Sequence, residues 1–140
     1  MAGDVENESE KELEELRYMQ QIYQNQYAIL NNSMTMHVQE MQALSAAQKA
    51  LENNDLMEGS EALTHTGAGI YMKAKIKDAG HVIVGIGGNY FVEKGIDDAK
   101  GYVSKLIEKK TEIINRLTKS RRDLQGAIID ASYKIENSSR

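Results

Sequence analysis

The stretch VIVGIGGNYF, Val82 to Phe91, decides how this chain is read. A β-branched run enters a glycine cluster. Such a cluster either cradles a phosphate at the start of a helix or turns a strand back on itself. The dinucleotide motif needs a third glycine where Tyr90 stands, and a helix directly after the loop to hold the phosphate. Tyr90-Phe91-Val92 follows instead, and those residues favour a strand. No Gly-Lys-Ser/Thr run of a phosphate loop occurs anywhere in the sequence. Gly85 therefore reads as a bulge or a close backbone approach inside a strand, and Gly87-Gly88 as a tight turn.

The neighbouring segments share this period of two. In GIYMKAKIK, Ile70, Met72, Ala74 and Ile76 fall on one face, and Tyr71, Lys73, Lys75 and Lys77 on the other. That is a half-buried strand with a lysine-rich outer face, which also guards against edge-to-edge pairing. Asp78-Ala79-Gly80 is turn chemistry. Val82, Val84 and Ile86 then alternate in a strand expected to pair back on the first. A strand at Ala62-Leu63-Thr64, turning at Gly67-Ala68-Gly69, completes four strands in two hairpins.

On both sides the period changes to 3.5. From Leu13 a heptad seam runs through Leu16, Gln20, Tyr23, Tyr27, Leu30, Met34, His37, Met41, Leu44, Gln48 and Leu51 without a slip. Nine of these twelve positions are apolar, a coiled-coil pattern far longer than an ordinary globular helix. Ser9 and Glu12 fit a capping box at its start. After residue 97 a second seam reads Ala99, Val103, Leu106, Lys110, Ile113, Leu117, Ser120, Leu124, Ala127 and Ala131, and then drifts towards Ile128 and Ile135. The absence of proline suits unbroken helices. The expected organisation is a single domain over 1–140, with an acidic tail at 1–8, helix 9–54, a β region at 60–95 and helix 97–137. The fold class is α+β, mainly α: a long antiparallel coiled-coil hairpin with two small β-hairpins at one end. Seven acids in residues 1–15 and the basic run Arg116, Lys119, Arg121, Arg122 favour the antiparallel sense.

Composition removes several functions. There is no cysteine, hence no disulfide and no thiolate metal site. His37, His65 and His81 have no partners at metal-ligand spacing, and His37 fits a polar layer in the seam. The acidic start lacks the basic and apolar parts of an export signal, and no run approaches a membrane span. A net charge of −4 reads against nucleic acid. The sequence predicts a cytoplasmic protein that is not an enzyme, with no cofactor, no metal, no nucleic acid and no membrane.

Four short strands on a helical stalk cannot cover their own apolar face. Subunit assembly is expected through Ile70, Met72, Ala74, Ile76, Val82, Val84 and Ile86. Folding the helices outward from the strands leaves the far tips short of partners. Leu13, Leu16, Met19, Ile22, Tyr23, Ile128, Ile129 and Ile135 are the expected binding surface there.

The segment GAGIYMKAKIKDAGHVIVGIGGNYFVEKGIDDA closely resembles the β region of the α-class subunit of archaeal prefoldin, the GimC chaperone. The resemblance rests on Gly67-Ala68-Gly69, Lys73-Ala74, Asp78, the turn at 87–88 and Glu93-Lys94, with heptad helices on both sides. It implies a hetero-hexamer of two α and four β subunits, whose strands form an inter-subunit β-barrel platform bearing six coiled-coil tentacles. It also implies an ATP-independent holdase that grips unfolded proteins by the tips and delivers them to a group II chaperonin. Leu63-Thr64-His65-Thr66 stands where the family usually has Leu-Val-Pro-hydrophobic, so the first strand is more polar. The alternative is a structural filament or scaffold subunit, similar to γ-type prefoldin, without client delivery.

Overall fold

The computed structural model describes residues 2–53 and 58–138, with side chains from residue 7 onward. Met1 of the expected tail and Asn54, the expected end of the first helix, lie outside them. The elements are α1 (Ala2–Glu52), β1 (Glu61–Gly67), β2 (Ile70–Lys75), β3 (His81–Gly87), β4 (Tyr90–Gly95) and α2 (Ile96–Ser138). Contacts divide the chain into two compact units, Met1–Gln39 with Thr111–Arg140, and Glu40–Lys110.

The acidic segment expected as a tail is helical from Ala2, so Ser9 lies inside α1 and is not its cap. No proline interrupts it, and an acidic start suits the positive end of a helix. α2 starts at Ile96 with Asp97 and Asp98 in its first turn. In the first unit the two helices run antiparallel. Gln20 donates to the Ser132 hydroxyl, and the Arg121 guanidinium donates to Asn31 Oδ1 at 3.3 Å, so α2 numbers fall as α1 numbers rise. In the second unit the seam lysine, Lys110, pairs with Glu40. Met34, Ala99, Val103 and Ala131 are buried, and all four are seam positions.

Each hairpin is its own two-stranded antiparallel sheet, β1 with β2 and β3 with β4. The pairing of β2 with β3 expected from the sequence does not form. The residues between them serve other ends. Ile76 N donates to Ser60 O at 3.1 Å, and Gly59 N to Ile76 O at 2.9 Å, which closes the first hairpin. Gly80 O accepts from Ile96 N at 3.0 Å, which ties the second to the start of α2. Between these ties Asp78 Oδ1 accepts the Gly80 amide at 2.7 Å, an Asx turn that redirects the chain without a ladder.

The glycine cluster does both things expected of it. Gly87, Gly88 and Asn89 have φ of 106°, 59° and 62°, values that favour glycine and asparagine. The β3–β4 register slips between Gly85 and Gly87, which makes Ile86 an extra residue. A side chain on Gly85 would meet the Phe91 ring at 3.1 Å, so the glycine lets that ring lie over the backbone.

Candidate functional site

The grooves among the described residues are open surfaces. In the unit 40–110, residues of β3 and of both helices line one groove. This open apolar groove of about 420 Å³ is lined by residues that include Leu44, Ala47 and Leu51 of α1, Val82, Ile83 and Val84 of β3, and Ala99, Val103 and Leu106 of α2. Lys94 is placed 5.4 Å over the Tyr102 ring, a cation–π contact between β4 and α2.

The expected assembly residues therefore divide. Ile70, Met72, Ala74 and Ile86 are exposed, whereas Ile76, Val82 and Val84 are half-buried. The bulge at Ile86 breaks the alternation with Val82 and Val84 that the sequence suggested. The open face of the second hairpin instead carries Ile83 and Phe91, 70% and 68% exposed. Three consecutive β-branched residues, Val82-Ile83-Val84, put apolar groups on both faces, so period two cannot choose between them. Leu63, Tyr71 and Tyr90 are further exposed apolar residues that the alternation did not single out.

Asp78, His81 and Glu93 bring one ligand atom each within 4.8 Å of one another. Sequence spacing hid this set, because Glu93 arrives through the register that opposes it to Ile83. The turn itself accounts for the Asp78 carboxylate. One oxygen accepts from Gly80 and the other lies 2.8 Å from His81 Nδ1. The Gly80 amide first, and then His81, hold this carboxyl below its ordinary value. His65 stacks at a tilt on Tyr71, ring centroids 5.0 Å apart, across β1 and β2.

In the other unit the eight expected tip residues also divide. Met19 and Ile129 are exposed, and Leu13, Leu16, Ile22, Tyr23, Ile128 and Ile135 are half-buried. Leu16, Met19 and Tyr23 share a groove of about 150 Å³ with Ala127 and Ala131, rimmed by Asp130 and Lys134. Those two rim groups form an ion pair at 3.2 Å. The seam count passed over Tyr18, Ile29, Met36, Val38 and Tyr133, all exposed. Ile22, Ile29 and Met36 recur every seven residues off the seam, a signal present in the sequence. Among the described residues no helix is long and apolar enough to cross a membrane.

A profile of the prefoldin subunit family matches residues 18–139. The chain is 38% identical to "Prefoldin subunit alpha 1" of Thermococcus kodakarensis over 106 residues, 73% of this chain and 70% of that protein. It is 29% identical to "Prefoldin subunit alpha" of Pyrococcus horikoshii over 131 residues, covering 92% and 88% of the two chains. Among solved structures, a filamentous prefoldin from Methanocaldococcus jannaschii aligns with a TM-score of 0.68 over 79% of this chain and 93% of that one. At 20% identity that likeness concerns the fold.

Proposed function

The chain belongs to the prefoldin family, with archaeal alpha subunits among its relatives, and from that premise we propose that it is the α-class subunit of an ATP-independent holdase. Its β-hairpins join β-class subunits in a hetero-hexamer of two α and four β chains. Its coiled-coil tips hold unfolded proteins in the cytoplasm and release them to a group II chaperonin. The observation that carries this reading is apolar surface left open in both units. On the hairpins it includes Met72, 61% exposed, together with Ile70, Ile83 and Phe91. Two-stranded sheets of this kind are marginal in water and gain by joining a larger sheet. Each such side chain gains roughly 1.5–3 kcal/mol on full burial. On the helices the open surface includes Met19 and Ile129 beside the groove at Leu16 and Tyr23. Apolar groups next to a polar rim suit the transient grip of unfolded chains.

The test is suppression of aggregation without nucleotide. A chemically denatured protein is diluted into buffer, into this chain, and into this chain premixed with a β-class subunit. The mixture should suppress light scattering. Joint substitution of Leu16, Met19 and Ile129 by Gln should leave the hexamer intact and abolish that suppression. Failure of the mixture to suppress aggregation, with long assemblies of this chain alone, would favour a filament subunit.

A further inference from the structure

The turn that leads into β3 and the strand that pairs with it bring metal-ligating side chains of different kinds to one place. Asp78, His81 and Glu93 each offer one ligand atom, and those atoms lie within 4.8 Å of one another. A zinc-type ion sits about 2.0–2.2 Å from an imidazole nitrogen or a carboxylate oxygen, so its ligands stand about 3–4 Å apart. Small rotations of three exposed side chains reach that spacing.

Two of the three are already held. Asp78 Oδ1 accepts the Gly80 amide at 2.7 Å, and Asp78 Oδ2 lies 2.8 Å from His81 Nδ1. Ala79, inside this turn, is 6% exposed, and Gly80 O accepts from Ile96 N at 3.0 Å, which anchors the turn to the start of α2. The third comes from the ladder. Glu93 opposes Ile83, and His81 stands two residues before Ile83, on the same face of β3. Glu93 and His81 are therefore diagonal neighbours, a separation that long side chains span. Lys94, next to Glu93, is occupied elsewhere, over the Tyr102 ring. Among the described residues no Lys or Arg forms an ion pair with Asp78 or Glu93. Two carboxylates beside an imidazole, with no such partner, favour a cation between them.

The geometry points to a site for one divalent transition-metal ion, zinc foremost, held by Asp78, His81 and Glu93. The imidazole sets the class: it suits zinc, copper and nickel, whereas magnesium and calcium are taken by oxygen ligands. The expected absence of a metal rested on histidine spacing along the chain, which the β3–β4 register bypasses. A bound ion fastens β4 to the turn before β3. Three protein ligands leave a tetrahedral ion one further position, open to water. The site stands independently of the holdase reading.

The test titrates the full chain, untagged and stripped of metal by a chelator, with zinc chloride in a calorimeter at neutral pH. One ion should bind per chain, tighter than about 100 µM, and magnesium chloride should neither bind there nor compete. His81→Ala and Glu93→Gln should each weaken zinc at least tenfold, since even changes behind the ligands cost roughly 10–100-fold. His65→Ala should leave the affinity within twofold. All three side chains are exposed, so circular dichroism should show unchanged helix content in each variant. Saturating zinc should raise the melting temperature of the parent by roughly 2–4 °C and leave His81→Ala unmoved. Cobalt chloride should give a visible absorption band in the parent that His81→Ala loses. No one-to-one binding, binding that Glu93→Gln leaves untouched, equal weakening by His65→Ala, or equal affinity for zinc and magnesium would overturn the site.

Discussion

The two hairpins are built alike and treated differently. Each turns through a residue trio with positive φ, Gly67-Ala68-Gly69 in one and Gly87-Gly88-Asn89 in the other. Each has a register slip just before the turn, at His65/Gly67 and at Gly85/Gly87. Yet every residue of β2 is exposed, whereas Val84 of β3 and Val92 of β4 are half-buried and face one another in register. Val82 and Val84 line the groove with Leu44, Leu51 and Val103. Among the described residues, none from β1 or β2 lines it. Turn chemistry makes a hairpin, then, but does not decide where its faces go. The second hairpin finds cover within its own chain. The first leaves Leu63, Ile70, Tyr71 and Met72 exposed.

The strongest way to break this comparison is to charge one position in each hairpin. Val84→Asp should cost about 2 kcal/mol in urea unfolding of the isolated chain, because a carboxylate enters an apolar contact. Met72→Asp should stay within about 0.5 kcal/mol of the parent, as exposed substitutions do. In gel filtration with β-class subunits the order should reverse, with Met72→Asp failing to assemble. Equal costs in the isolated chain would mean that the hairpins are covered alike.

The turns sharpen the likeness. Gly87→Ala puts a side chain at φ 106° and should cost about 1–2 kcal/mol by the same unfolding measurement. Ala68 already bears a side chain at φ 51°. Ala68→Gly should stabilise the chain by roughly 0.5 kcal/mol, relief of left-handed strain outweighing the entropy of glycine. A loss from Ala68→Gly would show that the first turn is not strained.

The smallest effect lies between the hairpins, at Asp78. Its folded pKa is lowered by the Gly80 amide and by His81, so its charged form is the favoured one. The stabilisation is fully present above the ordinary value near 3.8 and is lost as pH falls through the lowered folded value. Asp78→Asn keeps an acceptor for Gly80 but removes the titration. Melting temperatures followed from pH 7 to pH 2 should differ between parent and variant above pH 4 and converge in stronger acid. A constant difference across that range would remove Asp78 from the pH dependence.

Much of this molecule was legible from local patterns. The seam from Leu13 to Leu51, the seam from Ala99 to Ala131 and the glycine-rich turns all report backbone preference and periodicity, which need no knowledge of distant residues. The same reasoning removed the nucleotide loop at Gly85–Tyr90. Three features needed the tertiary structure. Val82-Ile83-Val84 is apolar on both faces, and only the tertiary structure leaves Val82 and Val84 half-buried and Ile83 exposed. The separation of β2 from β3 was set by backbone bonds between Ser60 and Ile76 and between Gly80 and Ile96, which are invisible to spacing. The exposure of Ile29 and Met36 depends on where α2 lies against α1 in their unit. The sequence by itself determined which elements form, because helix and turn are decided by neighbours along the chain. Which faces meet one another was decided only by the tertiary structure, because burial depends on residues far apart in the sequence.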